Sequence, residues 1–199
     1  MKVASSAAVL LAAGAGTRFA GPGHKLHADA GGLPVVVRSV AAAVEAGFDD
    51  VFVVWGAVPL DRALAASGLS EPVRTLFNPL WQDGIATSLA LGIETAEVFG
   101  YGSVVVGLGD MPAVSPEDWR AVATCAESSV VVTRWSDGHL SPPVRIERDV
   151  WGLVPGSGDV GVRHLWTAGD PVRVTRLDRP GTGRDVDTVA DLCATTDLN

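Results

Sequence analysis

The chain has 199 residues, 47% of them apolar, a net charge of −8 and few aromatic side chains, which fits one domain with a substantial core. An acid balance of this size excludes a broad nucleic-acid or membrane-surface footprint, and no stretch reaches the roughly 18 apolar residues that a membrane span needs. Cys125 and Cys193 are the only cysteines and form no Cys-x-x-Cys pair, a usage that fits a reducing cytoplasm.

The first element is the apolar run Val9 to Ala13, which reads as a strand buried on both faces. With Lys2 before it and Ala13-Gly14-Ala15 after it, the run imitates a short signal peptide. It is read as a strand, because cleavage there would strip the following loop of its anchor. That loop is Gly14, Ala15, Gly16, Thr17 and Arg18, followed after six residues by Lys25. Glycines behind a buried strand let backbone approach a ligand and leave N–H groups to meet it. Arg18 and Lys25 make that ligand anionic, whereas a bare turn has no use for two cations. A cation within about 4 Å of an anion contributes roughly 4 kcal/mol at an intermediate effective dielectric, while exposed charges beyond about 8 Å are largely screened. The loop is not a P-loop, since no Gly-Lys pair occurs, and Phe19 stands where the dinucleotide fingerprint has its third glycine. His24 and His27 are read as loop polarity rather than as metal ligands.

Pro34 to Ala46 reads as a helix opened by its proline and closed by Gly47. Val51 to Trp55 is a second buried strand, Leu60 to Ala66 a short helix and Val73 to Phe77 a third strand. Asn78 to Gly84 is a loop, Ile85 to Val98 a helix and Ser103 to Leu108 a fourth strand ending in Gly109-Asp110-Met111-Pro112. Ser115 caps a helix that Pro116 opens, with Asp118 completing a capping box, and Ser129 to Trp135 is a further strand. This alternation predicts an α/β, Rossmann-like three-layer fold with a mostly parallel central sheet. Beyond Trp135 the rhythm changes. Pro142, Pro143 and Val144 to Ile146 read as an edge strand or extended segment, Gly156 to Gly161 opens a short helix through Trp166, Val172 to Leu177 is a late strand, and a final helix covers Val189 to Cys193. The expected organisation is a single domain over 1–199, with a nucleotide-binding core at 1–135 and an acceptor-side cap with the final helix at 136–199.

Ligands of such sheets sit beyond the carboxyl ends of the strands. The glycine loop, the Asn78 loop and the Gly109-Asp110 loop all follow strand ends and should line one crevice. A triphosphate there calls for Mg2+, which takes carboxylate and phosphate oxygens. Asp110 is the best-placed first carboxylate and Asp185 the second, with Asp187 as the alternative or as the cap of the final helix. The bland readings are a turn former for Asp110, packing for Trp81, a backbone bond for Ser88 and an Arg163–Asp159 pair.

Leu11-Ala12-Ala13-Gly14-Ala15-Gly16-Thr17-Arg18 with Lys25, Asn78-Pro79-x-Trp81-x-x-Gly84-x-x-x-Ser88-Leu89, Gly109-Asp110-Met111-Pro112, Gly158-Asp159-x-Gly161-x-Arg163 and Asp185-Val186-Asp187-Thr188 occur in that order. The set resembles the MobA-like nucleotidyltransferases that mature the molybdenum cofactor, above all their cytidylyltransferase branch. The resemblance implies a fold of the nucleotide-diphospho-sugar transferase type. It also implies transfer of a nucleoside monophosphate from an NTP to a phosphorylated acceptor, molybdopterin or molybdenum cofactor, with release of pyrophosphate. Leu11 to Arg18 and Lys25 would hold the triphosphate, Asn78, Gly84, Ser88 and Gly109 would shape the nucleotide pocket, and Arg18, Lys25 and Asp110 would be catalytic. Ala13 points to CTP, because the guanylyl branch carries Leu-Ala-Gly-Gly. The implied partners are small-molecule substrates and a molybdoenzyme that receives the product, in the cytoplasm. Two departures stand out: the six residues between Arg18 and Lys25, and Asp137 to Pro143 where relatives carry Arg-Gly-x-Pro. The alternatives are a GTP-dependent or other small-metabolite transferase, and an NAD(P)H-dependent oxidoreductase of quinone-like compounds, which the missing dinucleotide fingerprint disfavours.

Overall fold

β1 (Ser6–Ala12) is buried along its whole length. Ala8, Leu10 and Ala12 enter one apolar layer, and Ala7, Val9 and Leu11 the other. A strand of this kind needs cover on both faces. On the first face α1 (Val35–Ala46), α2 (Asp61–Ala66) and α4 (Pro116–Thr124) supply it. On the second, α3 (Ile85–Val98) lies over β1, with Val150, Trp151 and Leu165 of the short α5 (His164–Thr167) in the same layer. The computed structural model describes residues 6–69, 73–167 and 172–196; Lys2 lies outside them. Among the described residues no helix is long and apolar enough to cross a membrane.

The sheet adds β2 (Val51–Trp55), β3 (Val73–Phe77), β4 (Ser103–Leu108), β5 (Val130–Arg134), β6 (Leu140–Glu147) and β7 (Val174–Asp178). Its seven strands run in the order β3-β2-β1-β4-β6-β5-β7. β1 to β4 are parallel to one another, β5 is parallel to β7, and β6 is antiparallel to both of its neighbours. The three-layer, mostly parallel architecture is the one that the alternation predicts. Local signals end the elements as expected: Gly47 closes α1 in the left-handed region at φ 91°, and Ser115 with Asp118 forms the capping box of α4.

The segment after Trp135 departs from expectation. β6 is no edge strand: it lies inside the sheet between β4 and β5. Proline lacks the N–H that an interior strand must donate, yet neither Pro142 nor Pro143 is asked for one. Pairing with β4 stops at Val106 and Val144, and the register against β5 shifts between Val132 and Thr133, so both prolines fall in the step.

At the opposite end of the sheet from the glycine loop, Asp50 precedes β2. It accepts from Tyr101 Oη at 2.6 Å and pairs with Arg74 Nε of β3 at 2.7 Å. Burial opposes the Asp50 charge, but Arg74 and Tyr101 outweigh it and hold the carboxyl below its usual range. Burial and the Asp50 carboxylate together push the Tyr101 phenol up. Because folding favours ionised Asp50, its contribution is complete above the unfolded value of about 3.9 and is lost as pH falls through the folded one. Tyr101→Phe should cost about 1 kcal/mol in urea unfolding at pH 7, and its difference from wild type should shrink below about pH 4.

Candidate active site

A cavity of about 390 Å³ opens at the carboxyl ends of β1 and β4. Its first wall is the unbroken run Leu11 to Arg18 together with Lys25 and Leu26. Two backbone bonds fix where this run leaves the sheet: Gly109 N donates to Leu11 O at 2.9 Å, and Ala57 N to Ala13 O at 3.1 Å. Phe19 is buried with Ala30, Val35 and Val186 in a small satellite core, so the far end of the loop is anchored as well.

Lys25 crosses to the acidic side. Its Nζ lies 2.6 Å from Asp110 Oδ2 and 2.8 Å from Asp187 Oδ1, and Arg18 reaches Asp187 Oδ2 at 2.7 Å. The two cations differ in setting: the Lys25 side chain is 11% exposed and that of Arg18 is 76% exposed. Burial works against the Lys25 ammonium, but Asp110 and Asp187 outweigh it and raise its pKa. For Asp110, burial pushes the carboxyl up, Lys25 pulls it back, and the neighbouring Asp185 charge adds to the rise; the balance is upward.

Oxygens of Asp110, Asp185 and Asp187 lie within 4.8 Å of one another. Asp110 Oδ1 is buried and has no hydrogen-bond partner, a state that native proteins rarely leave unanswered. Three carboxylates with an orphaned oxygen fit a hard divalent cation such as Mg2+. The structure brings both expected second carboxylates to the cluster. The segment that carries them is held from two sides: Val186 N donates to Asp110 O at 2.8 Å, and the Val186 side chain is fully buried beside Phe19. Asp187 is not the helix cap. That role belongs to Thr188, which exchanges side-chain and backbone bonds with Asp191 ahead of α6 (Val189–Thr196).

The second wall holds Trp81, Gln82, Gly84, Ile85, Ser88 and Asp159. Gly84 has φ 103°, and a Cβ there would stand 2.3 Å from the Gly158 carbonyl. Gly158 O in turn accepts from Ala86 N at 3.0 Å, and Gly158 N donates to Asp83 O at 2.8 Å. This interlock sets Asp159 into the cavity. The sequence offers an Arg163–Asp159 pair as the bland reading; the signal for the cavity position of Asp159 is the Gly158-Asp159 step. Trp81, read as packing, does pack on Gly56 but also lines the cavity. Leu108 completes the lining, with Asp110, Asp185 and Asp187.

Two expected nucleotide-pocket residues do not line the cavity. Asn78 is 3% exposed and shapes the loop: its Nδ2 donates to Thr87 and Ser88 hydroxyls at 2.9 Å each, and its Oδ1 accepts from Leu80 N. Gly109 serves the sheet, since a Cβ there would come 2.7 Å from that of Ala12.

Removing the Lys25 charge leaves the Asp110 and Asp187 carboxylates facing each other in a mostly dry site. Lys25→Met should cost about 2–3 kcal/mol in urea unfolding in chelator-treated buffer. Arg18→Ala should stay within about 0.5 kcal/mol, as for other exposed pairs.

The MobA-like NTP transferase domain matches residues 8–174 of the chain. A 3-deoxy-manno-octulosonate cytidylyltransferase of Azorhizobium caulinodans is 37% identical over 101 residues, 50% of this chain and 38% of that protein. The chain therefore spans well under two thirds of that relative. The crystal structure of Rv0371c from Mycobacterium tuberculosis H37Rv superimposes with a TM-score of 0.79 at 26% identity, covering 98% of this chain and 100% of that one. A manganese complex of Rv0371c does so with a TM-score of 0.76 at 22% identity and the same coverage. A nucleotidyl transferase from Methanothermobacter thermautotroptrophicus (Mth528) has a TM-score of 0.78 at 26% identity, covering 98% of this chain and 97% of that one. The sheet order and layers are those of the nucleotide-diphospho-sugar transferase fold that the resemblance implied. On the match over residues 8–174, carrying both the glycine loop and Asp110, this chain belongs to the MobA-like NTP transferase domain family.

Proposed function

We propose that this chain transfers a nucleoside monophosphate from CTP to a phosphorylated small-molecule acceptor, molybdopterin, and releases pyrophosphate. The observation that carries the reading is the meeting, in one cavity, of a glycine loop with two cations and a cluster of three carboxylates. The first arrangement suits a polyanion and the second suits the cation that accompanies it. The CTP assignment draws support from Ala13 and from the cytidylyltransferase name of the 37% identical relative.

Asp110, Asp185 and Asp187 would hold Mg2+; a manganese complex of an M. tuberculosis neighbour supports a divalent ion in this fold. A cation bound there supplies positive charge against the triphosphate oxygens. The chain's own groups do the remaining work. The Gly14–Gly16 backbone lies against the phosphates, and the Lys25 ammonium and Arg18 guanidinium offset their charge. The Ser88 hydroxyl, which accepts from Asn78, keeps its hydrogen for the nucleotide. An acceptor phosphate oxygen attacks the α-phosphorus; the new P–O bond forms as the α–β phosphoanhydride bond breaks, and the electron pair leaves with pyrophosphate. The attacking oxygen is already an anion, so no side-chain base is needed, and catalysis rests on positioning and charge. The nucleotide-bearing product would then pass to a molybdoenzyme in the cytoplasm.

Thermal denaturation with each NTP plus Mg2+ tests the base. CTP at about 100 times its Kd should raise the Tm by about 5–10 °C; a rise specific to GTP overturns the CTP assignment. Asp110→Ala should remain folded by circular dichroism and lose Mg2+-dependent pyrophosphate release with CTP and molybdopterin. Undiminished release removes the metal role of Asp110.

A further inference from the structure

We infer that His24 is a positioning residue, which turns a peptide of the glycine loop so that its N–H faces the triphosphate. The inference rests on the nucleotidyltransferase reading and adds a residue to it. The loop from Ala13 to His24 has no helix to hold its peptides; it runs from β1 into a single 3-10 turn at Lys25–His27. A loop that serves an anion must keep its carbonyls turned away, since a carbonyl oxygen facing a phosphate repels it.

The His24 ring does this from behind. Its Nδ1 accepts from Leu26 N at 3.3 Å, which assigns the ring hydrogen to Nε2. Nε2 lies 3.1 Å from Gly14 O and donates to it. In a planar trans peptide the C=O of Gly14 and the N–H of Ala15 point in opposite directions. Holding the carbonyl on the ring side therefore aims the Ala15 N–H to the other side, and Ala15 lines the cavity. The ring also explains Gly16: at φ +62°, a Cβ there would sit 3.0 Å from Nε2. The charged and titratable neighbours of the ring are Lys25 and His27, the latter 6.4 Å away between ring centroids. Burial and these two neighbours lower the His24 pKa, which favours the neutral tautomer that the two bonds require. The imidazole is not among the groups that line the cavity, so it acts through the loop.

Three variants separate this role from a plain cap of the 3-10 turn. His24→Gln puts an amide nitrogen near the Nε2 position, His24→Asn puts an amide oxygen near the Nδ1 position, and His24→Ala supplies neither. Calorimetric titration would use two probes, CTP with Mg2+ and inorganic tripolyphosphate, with Tm recorded for every variant. Ala and Asn should weaken both probes about tenfold and Gln less than about threefold. Wild-type affinity in His24→Ala, or tight binding by Asn with weak binding by Gln, overturns the inference. If His24→Ala does not fold, the Gln and Asn order decides alone. A wild-type protein that binds tripolyphosphate but no NTP defeats the nucleotidyltransferase reading, while the order of variants against tripolyphosphate still judges His24. A wild-type protein that binds neither probe overturns both.

Discussion

The Lys25 ammonium, between the carboxylates of Asp110 and Asp187, holds together three segments far apart in the chain: the glycine loop, the end of β4 and the approach to α6. These carboxylates are not neutralised by their own cations. Asp110, Asp185 and Asp187 face Lys25 and Arg18, leaving one negative charge in excess, and Asp159 across the cavity makes it two. Like charges this close oppose folding, most strongly for the partly buried Asp110 and Asp187, while Asp185 and Asp159 are exposed. The surplus is tolerated because the backbone between Asp185 and Asp187 is fixed independently, by the burial of Val186 and its bond to Asp110 O. A site with excess carboxylate favours the entry of a cation.

The sheet dictates where such a site can lie. Both faces of β1 and β4 are dry, so a polar side chain can leave these strands only at their ends. Leu11 and Ala12 still belong to the core layers, while Gly14 and Arg18, a few residues on, stand in solvent. At the end of β4 both Leu108 and Asp110 line the cavity. The second wall comes from the β3–α3 connection on the same edge. Its cavity position depends on Gly84, where the left-handed backbone and contact with Gly158 leave no room for a side chain.

Much of this was legible in the sequence where the signal is local. A strand buried on both faces is an unbroken apolar run, and Val51 to Trp55 could be little else. Gly47 and the Ser115–Asp118 box mark helix ends through the backbone geometry they permit. Reading failed where the outcome is set by distant partners. The prolines of β6 argue locally for an edge; only the end of the β4 pairing and the shift against β5 show why an interior strand accepts them. Asp187 and Thr188 are both good caps, and the choice between them turns on Lys25, which draws Asp187 into the cluster. Asn78 follows a strand end like the true lining residues, but Thr87, Ser88 and Leu80 claim all of its polar atoms. The Gly158-Asp159 step is visible in the sequence, but the contact of Gly158 with Gly84, which sets Asp159 into the cavity, is not.

Phe19 and Val186, which share one small core, bear on the order of assembly. The bond between Lys25 and Asp187 joins residues 162 apart in sequence, whereas β1 with β2 and β2 with β3 pair across single crossovers. Loop-closure entropy favours the shorter connections, and contacts of long sequence separation form late. The four parallel strands can therefore be in place while the cavity is still open, with Phe19 uncovered and Asp110 facing Lys25 alone. Closure waits for Val186. During synthesis a chain that has made its glycine loop and β4 still lacks two of its three clustered carboxylates, so the cluster is complete only once Asp187 has emerged.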